Sequence, residues 1–373
     1  MTEGRDVAVV LSGGGMNGIL LELGFLQRLR ASELWPRVGW IFGTSAGALS
    51  GAMAALDRLD DLERFLLSLR PEETFRPNRL WRLPLLGLHE YALPRTVAER
   101  LGDPVEIAAA VAQSPVELVV VATDLTHDAH DGGPYELVYS SRSTPPETMA
   151  EAVLASAAIS ALVLPMRVGD RIATDGSWVR NFPLGHAYDR PEVELIVAFR
   201  YLPRYPEPDP QALSTFRRRL ERFGRVPPVR AFVSELREAE ERSLRGEPAH
   251  LAEMIVRLAR VAISQNTRLE ERFADEKDQA VDALESLRAD IEELVSGHGD
   301  GLVEAVRERF AAARFPFRHD RHVPRITVSA SAGELSLDPG FRSQRPWTEE
   351  AKRALLERGH AAADEQLAAF RIR

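Results

Sequence analysis

Apolar runs alternate with helix-like segments along most of this chain. Residues 6–11 form an apolar run, and similar runs recur at 40–42, 116–123, 193–199 and 325–329. Short continuous runs of this kind are typical of buried parallel strands, because helices cover both faces of such a sheet. The segments between them carry leucine and alanine at helical spacing. The alternation predicts an α/β fold with a mostly parallel central sheet.

A proline-rich segment marks a change in this pattern. Residues 203–210 contain four prolines in eight positions, which neither a helix nor a central strand tolerates. The pattern that follows is helical and highly charged until the last strand-like run. We therefore predict a core over residues 1–202, a helical insertion over 203–320, and a return to the core over 321–373, which supplies a strand and a C-terminal helix.

Composition narrows the classes of function. The 373 residues carry 47 basic and 56 acidic side chains, and the net charge of −9 argues against general nucleic-acid binding. Cysteine is absent, which excludes disulfides, thiolate metal ligands and a cysteine nucleophile. The sequence lacks both a long apolar run that could cross a membrane and the features of a signal peptide. We expect a cytoplasmic protein. Lys277 and Lys352 are the only lysines, so lysine catalysis is disfavoured.

The segment Gly43-Thr44-Ser45-Ala46-Gly47 lies between an apolar strand and a helix of small residues. Gly-x-Ser-x-Gly is typical of a nucleophile elbow, in which Gly43 and Gly47 leave room for a sharp strand-to-helix turn. The pattern occurs by chance in about one chain in ten of this length at average composition. Its position after a strand therefore carries most of the weight in predicting Ser45 as a nucleophile.

Gly13, Gly14 and Gly15 follow the first strand and open a helix. Consecutive glycines there can direct several backbone N–H groups at one anion, as in an oxyanion hole. Two other interpretations fit the same residues. Gly13-x-Gly15-x-x-Gly18 satisfies the dinucleotide-binding pattern, although the acidic residue expected on the ribose is missing. The loop is also compatible with a structural turn.

Asp175-Gly176 ends a further strand-like segment. A lone Asp-Gly is most often a turn. The alternative is a catalytic carboxylate, because a nucleophilic serine needs a base and the histidines lie mostly in loops or in the helical insertion. His127 and His130, for example, occupy a polar, aspartate-rich loop. A serine–aspartate pair lets the carboxylate accept the serine proton directly.

These motifs, in this order, resemble those of the patatin-like phospholipases. The family combines a strand ending in Ser-Gly-Gly-Gly, a Gly-x-Ser-x-Gly elbow and a late Asp-Gly, which here precedes Asn181-Phe182-Pro183. Residues 122–125 and 155–159 are also similar to the family's core strand and to the helix before the aspartate. The resemblance covers roughly residues 6–200. It implies a patatin-like three-layer α/β/α fold with a mostly parallel sheet.

The resemblance also implies an activity. By analogy, Ser45 is the nucleophile, Asp175 is the base, and the N–H groups of Gly13, Gly14 and Gly15 hold the oxyanion. It implies a lipid ester hydrolase of phospholipase A or lysophospholipase type that needs no metal or other cofactor. A non-catalytic lipid- or protein-binding module and an acyltransferase remain as alternatives.

Three positions depart from the family's pattern. Asn17 stands where the family usually has arginine or lysine, so charge assistance near the glycine loop is expected to be missing. Ser160 stands in place of the usual proline, and Ser177 replaces the glycine that usually follows Asp-Gly. Neither of the two serines removes a catalytic group.

Two further segments are candidate lipid-contacting surfaces. Arg217, Arg218 and Arg219 belong to a basic stretch interleaved with aromatic residues, which could rest on anionic headgroups. An ordinary solvated helix face explains the same pattern. Residues 75–91 are apolar and aromatic, and form either a lid or acyl-chain wall or part of the core.

Overall fold

The computed structural model describes residues 4–78, 89–126, 135–159, 163–203, 214, 217–218, 221, 227–245, 251–313, 322–337 and 347–370. The strands are β1 (Val7–Leu11), β2 (Val38–Thr44), β3 (Phe75–Pro77), β4 (His89–Tyr91), β5 (Glu117–Asp124), β6 (Glu136–Ser140), β7 (Met166–Val168), β8 (Arg171–Asp175), β9 (Leu195–Tyr201) and β10 (Arg325–Ala330). The helices are α1 (Gly15–Arg30), α2 (Ala46–Ala55), α3 (Leu59–Ser68), α4 (Pro71–Thr74), α5 (Leu93–Arg100), α6 (Pro104–Gln113), α7 (Pro146–Ser156), α8 (Ser177–Arg180), α9 (Leu184–Tyr188), α10 (Pro227–Leu244), α11 (Leu251–Ser296), α12 (Asp300–Ala312) and α13 (Glu349–Phe370).

The central sheet has eight strands. Seven follow the order β10-β9-β1-β2-β5-β8-β7, and the eighth, β6, pairs with β5 outside this order. The five strands from β10 to β5 are parallel, whereas β6, β7 and β8 add antiparallel pairs. The predicted strands are confirmed as β1, β2, β5, β9 and β10. The short strands β6 and β7 were not predicted, because they are partly exposed and carry no continuous apolar run.

Side chains of β1 alternate between two apolar layers. Val7, Val9 and Leu11 pack with leucines of α1 and α13 on one face of the sheet. Ala8 and Val10 pack on the other face, together with residues of α9 and α11. Helices thus cover both faces, as in the expected three-layer α/β/α arrangement with a mostly parallel central sheet.

The helices α10, α11 and α12 lie in the predicted insertion, whose limits remain a prediction. The longest, α11, has 46 residues and is about 69 Å long at 1.5 Å per residue. Its middle packs against the short helices α8 and α9. Among the helices that the structure describes, none is long and apolar enough to cross a membrane. The predicted C-terminal helix is confirmed as α13.

Candidate active site

Strand β5 brings two chain-distant residues together. The last residue of β2, Thr44, pairs with Val121, whereas the last residue of β8, Asp175, pairs with the next residue of β5, Ala122. The antiparallel β8 therefore ends where the parallel β2 ends. Ser45 follows Thr44 directly, so it lies beside Asp175 although 130 residues separate them in sequence.

The turn at Ser45 has the geometry of a nucleophile elbow. Ser45 has a φ of 55° and immediately precedes α2, a left-handed conformation that costs a non-glycine residue about 1–3 kcal/mol. A Cβ on Gly43 would collide with the carbonyl of Gly47, and a Cβ on Gly47 would collide with the carbonyl of Leu11. Both glycines are therefore required by close backbone approach, as the sequence pattern predicts.

The Ser45 hydroxyl donates a 2.8 Å hydrogen bond to Oδ2 of Asp175. The other carboxylate oxygen, Oδ1, accepts the backbone N–H of Ser177 at 2.7 Å. Burial raises the pKa of Asp175, whereas the hydrogen bonds from Ser177 and Ser45 act in the opposite direction. The carboxylate is therefore oriented at both oxygens and has one of them directed at the serine proton.

The glycine loop lies against this pair. A Cβ on Gly13 would collide with the side-chain oxygens of Ser177 and Asn181 and would lie 3.2 Å from Cβ of Ser45. The Gly13 N–H, however, donates to the carbonyl of Asn181 at 2.9 Å. This N–H is thus already hydrogen-bonded within the fold, and its part in an oxyanion hole stays a prediction. The N–H groups of Gly14 and Gly15 have no partner within the described ranges.

Comparison with known proteins agrees with this geometry. A family model described as patatin-like phospholipase matches residues 9–188, the segment that carries the glycine loop, the elbow and Asp175. Residues 9–188 form a patatin-like phospholipase domain. Patatin-like phospholipases are a family of lipid acyl hydrolases.

Comparisons with individual proteins and with solved structures show weaker similarity than the family model does. No curated protein matches the sequence significantly. Among solved structures, the crystal structure of VipD from Legionella pneumophila is similar with a TM-score of 0.43 and 14% sequence identity. That similarity covers 98% of this chain and 67% of the VipD chain.

One departure from the patatin-like pattern has a structural role. Asn17 is fully buried, and its amide donates to Oγ of Ser336 at 3.0 Å and accepts the N–H of Leu337 at 2.7 Å. The side chain therefore ties the start of α1 to the segment after β10. It brings no positive charge to the glycine loop. Ser160, the second departure, lies outside the described residues.

The third departure, Ser177, directly contacts Asp175, the candidate base of this patatin-like domain. Its N–H donates to Asp175, and its side chain also lowers the pKa of that carboxyl. The family's usual glycine cannot supply the second interaction. Of the histidines that the structure describes, His186 contacts Glu136 at 2.8 Å; His127 and His130 lie outside the described residues.

Two groups of residues around the site were not predicted as site residues. Ser156, at the end of α7, accepts the backbone N–H of Ser45 at 2.8 Å. Asn266, Thr267 and Glu270, in the middle of α11, contact the segment that follows Asp175. The sequence predicts α11 only as part of a charged helical insertion, because nothing in its pattern indicates that it reaches the site.

The candidate lipid-contacting surfaces are only partly described. Arg217 is held by two carboxylates, with Glu221 at 2.6 Å and Glu240 at 2.8 Å. Its positive charge is therefore offset within the fold. Arg219 and residues 79–88, the middle of the apolar segment, lie outside the described residues. Contact with an anionic membrane and a lid over the site both remain predictions.

Proposed function

We propose that this protein hydrolyses carboxylic esters of lipids through an acyl-enzyme formed on Ser45, with Asp175 as the general base. One observation carries the proposal: Oγ of Ser45, at a strained strand-to-helix turn, donates to Oδ2 of Asp175 at 2.8 Å. An adjacent base within hydrogen-bond distance is what activates a serine hydroxyl.

In the first half-reaction, Oγ of Ser45 attacks the ester carbonyl carbon while Asp175 takes the hydroxyl proton. The carbonyl oxygen becomes an oxyanion, for which the unpartnered N–H groups of Gly14 and Gly15 are the proposed donors. The C–O bond to the alcohol then breaks. The leaving alkoxide takes the proton from Asp175, and the acyl group remains on Ser45.

In the second half-reaction, Asp175 removes a proton from water, and the resulting nucleophile attacks the acyl-enzyme. The bond to Oγ of Ser45 breaks, the serine recovers its proton from Asp175, and a fatty acid is released. Burial favours this role, because a carboxyl with a raised pKa is a stronger base once it is ionised.

We propose phospholipids or lysophospholipids as the substrate class, with phospholipase A or lysophospholipase activity. The family match supports a lipid acyl ester, and the cysteine-free dyad needs neither a metal nor another cofactor for the steps above. Transfer of the acyl group to an alcohol instead of water uses the same intermediate. Product analysis with glycerol as an added acceptor distinguishes the two.

The test is labelling by a fluorophosphonate probe, followed by intact mass. We expect one adduct on the wild type, none on Ser45→Ala, and labelling slowed by about 10²- to 10⁴-fold in Asp175→Asn, the range of a lost general base. Asp124→Asn is the matched control, because Asp124 is equally buried but pairs with Arg171 rather than with Ser45. An unlabelled wild type, with detergent or vesicles present, would favour the non-catalytic binding module.

A further inference from the structure

A single side chain of the long helix α11 satisfies three backbone groups beside the proposed base. Nδ2 of Asn266 donates to the carbonyls of Ser177 and Trp178, at 2.7 and 3.2 Å. Its Oδ1 accepts the N–H of Asn181 at 3.0 Å. These groups belong to α8 and to the residue just after it. A helix of four residues leaves most of its backbone groups without hydrogen-bond partners inside the helix. The Asn266 side chain serves as the partner for two of these groups and for the N–H of Asn181.

The next residue of α11 extends this contact to the glycine loop. Oγ1 of Thr267 accepts Nδ2 of Asn181 at 3.0 Å while donating to the carbonyl of Ile263 at 2.9 Å. The carbonyl of Asn181 in turn accepts the N–H of Gly13. Asn181 is therefore held from both sides, by α11 through its side chain and N–H, and by the glycine loop through its carbonyl.

One turn further along α11, Glu270 connects to the nucleophile elbow. Its carboxylate accepts the N–H of Gly185 at 3.0 Å and forms an ion pair with Arg180. The backbone carbonyl of Arg180 accepts Oγ1 of Thr44 at 2.9 Å, and Thr44 directly precedes Ser45. This turn of α11 thus contacts the segment that follows Asp175, and it connects to the elbow only through Arg180.

We propose that Asn266 and Thr267 are positioning residues of this hydrolase, which hold the segment from Asp175 to Asn181 in register with Ser45 and Gly13. This inference rests on the proposed function. Neither residue is within hydrogen-bond distance of Ser45 or of the carboxylate of Asp175. Asn266 therefore acts through the backbone of α8, and Thr267 acts through the side chain of Asn181. A displacement of about 1 Å at a reacting group can cost about 10²-fold in rate, so such anchoring has a measurable effect.

Thr267 offers a matched pair of substitutions. Thr267→Val keeps the shape but removes the acceptor for Asn181, whereas Thr267→Ser keeps the hydroxyl. We expect kcat/KM for a p-nitrophenyl ester, and the rate of phosphonate labelling, to fall about 10-fold in Thr267→Val, within the loss allowed by small misplacement. Thr267→Ser should restore both rates. Gln265→Leu, on the exposed side of the same helix turn, is the control.

Asn266→Leu tests positioning through the pH profile. Losing the Asn266 amide releases the carbonyl of Ser177, whose N–H donates to the carboxylate of Asp175. A weaker hydrogen bond to the ionised form raises the pKa of that carboxyl, so the acid limb of kcat/KM should move to higher pH. A side chain that only stabilises the fold would lower the melting temperature and leave the acid limb unmoved.

The outcomes separate the two proposals. If the wild type is not labelled, the proposed function fails, whatever the α11 variants do. If the wild type is labelled and Thr267→Val reacts at the wild-type rate, the positioning role is overturned. An acid limb that stays in place in folded Asn266→Leu also overturns it. Should Asn266→Leu fail to fold, the comparison of Thr267→Val with Thr267→Ser still decides.

Discussion

The backbone N–H of Ser45 donates a 2.8 Å hydrogen bond to Oγ of Ser156, whose own proton is donated to the carbonyl of Val121 at 2.6 Å. Ser156 therefore connects the elbow to β5, the strand that also pairs with β8 at Asp175. Because this N–H is already bound, it does not contribute to an oxyanion hole. Its role is to hold a left-handed residue in place.

We predict that Ser156→Ala lowers both the rate of phosphonate labelling and kcat/KM by about 10-fold, because the elbow loses an anchor and reacting groups are sensitive to small displacements. Ser114→Ala is the matched control. Ser114 is also buried and also joins two backbone groups, the carbonyl of Ala55 and the N–H of Val116, but it precedes β5 at the far end. Each substitution should cost about 1–3 kcal/mol of stability through an unsatisfied buried group. Equal labelling rates in the two variants would contradict the prediction.

We predict that the Ser177 hydroxyl lowers the pH at which the proposed activity is lost. Burial raises the pKa of Asp175 above its usual value of 3.8, and the Ser177 side chain partly counteracts this. Asp175 acts as a base only when it is ionised, so activity is lost as pH falls through its pKa in the folded protein. Removing the hydroxyl in Ser177→Ala raises that pKa further.

The measurement is kcat/KM for a short-chain ester between pH 4 and 9. We expect the acid limb of Ser177→Ala to lie at higher pH than that of the wild type. The plateau values of kcat/KM should be of the same order of magnitude. A limb displaced to lower pH would show that the hydroxyl favours the protonated carboxyl instead.

Local chemistry explains what the sequence could predict. The elbow needs small residues at Gly43 and Gly47 because backbone atoms approach closely there, and such a requirement leaves a motif. Asn266 lies in no motif, and the family-like segment 155–159 did not indicate the role of Ser156. Both residues bind backbone groups 89 and 111 residues away, and such contacts exist only in the folded chain. The internal use of the Gly13 N–H was hidden for the same reason.

Glu22 is a buried residue whose carboxyl contacts α2, the helix that follows Ser45. Its Oε2 accepts the hydroxyl of Ser50, and Oε1 has no hydrogen-bond partner in the described part of the chain. Burial raises its pKa well above 4.5, so the folded state binds a proton that the unfolded state releases. This contribution to stability is present at low pH and is lost as pH rises from about 4.5 towards the pKa of the folded state.

We therefore expect Glu22→Gln to become more stable relative to the wild type as pH rises from 5 to 9, measured as the difference in melting temperature. Glu33→Gln, at an exposed position, is the control and should show no such trend. A difference that stays constant with pH would indicate that Glu22 is not protonated in the folded protein.

Lys352 makes stability depend on pH in the opposite direction to Glu22. It is buried, and its Nζ donates to the carbonyls of Leu67, at 2.9 Å, and Leu69, at the end of α3. Burial lowers its pKa from 10.5 to about 8, so the unfolded state binds more protons between these two values. The wild type should therefore gain stability relative to Lys352→Met as pH rises from 8 to 10. Lys277→Met, at the other lysine, should show no such gain in a series of melting temperatures.

The basic stretch at Arg217 remains a candidate membrane contact. We expect the triple substitution of Arg217, Arg218 and Arg219 by glutamine to reduce binding to vesicles containing phosphatidylserine, in a salt-dependent way. Arg217→Gln alone should reduce it less, because Glu221 and Glu240 already neutralise this side chain. Co-sedimentation with anionic and with neutral vesicles measures both. Unaltered binding by the triple variant would remove this surface from consideration.

The position of Asn266 in the chain bears on when the protein can become active during translation. Ser45 and Asp175 leave the ribosome early, whereas α11 and the edge strand β10 are made later. A nascent chain of the first 202 residues holds both members of the dyad but not the helix that orders the segment between Asp175 and Asn181. With the roles proposed above, a translation product that ends before α11 carries Ser45 and Asp175 without the helix that supports the segment between Asp175 and Asn181.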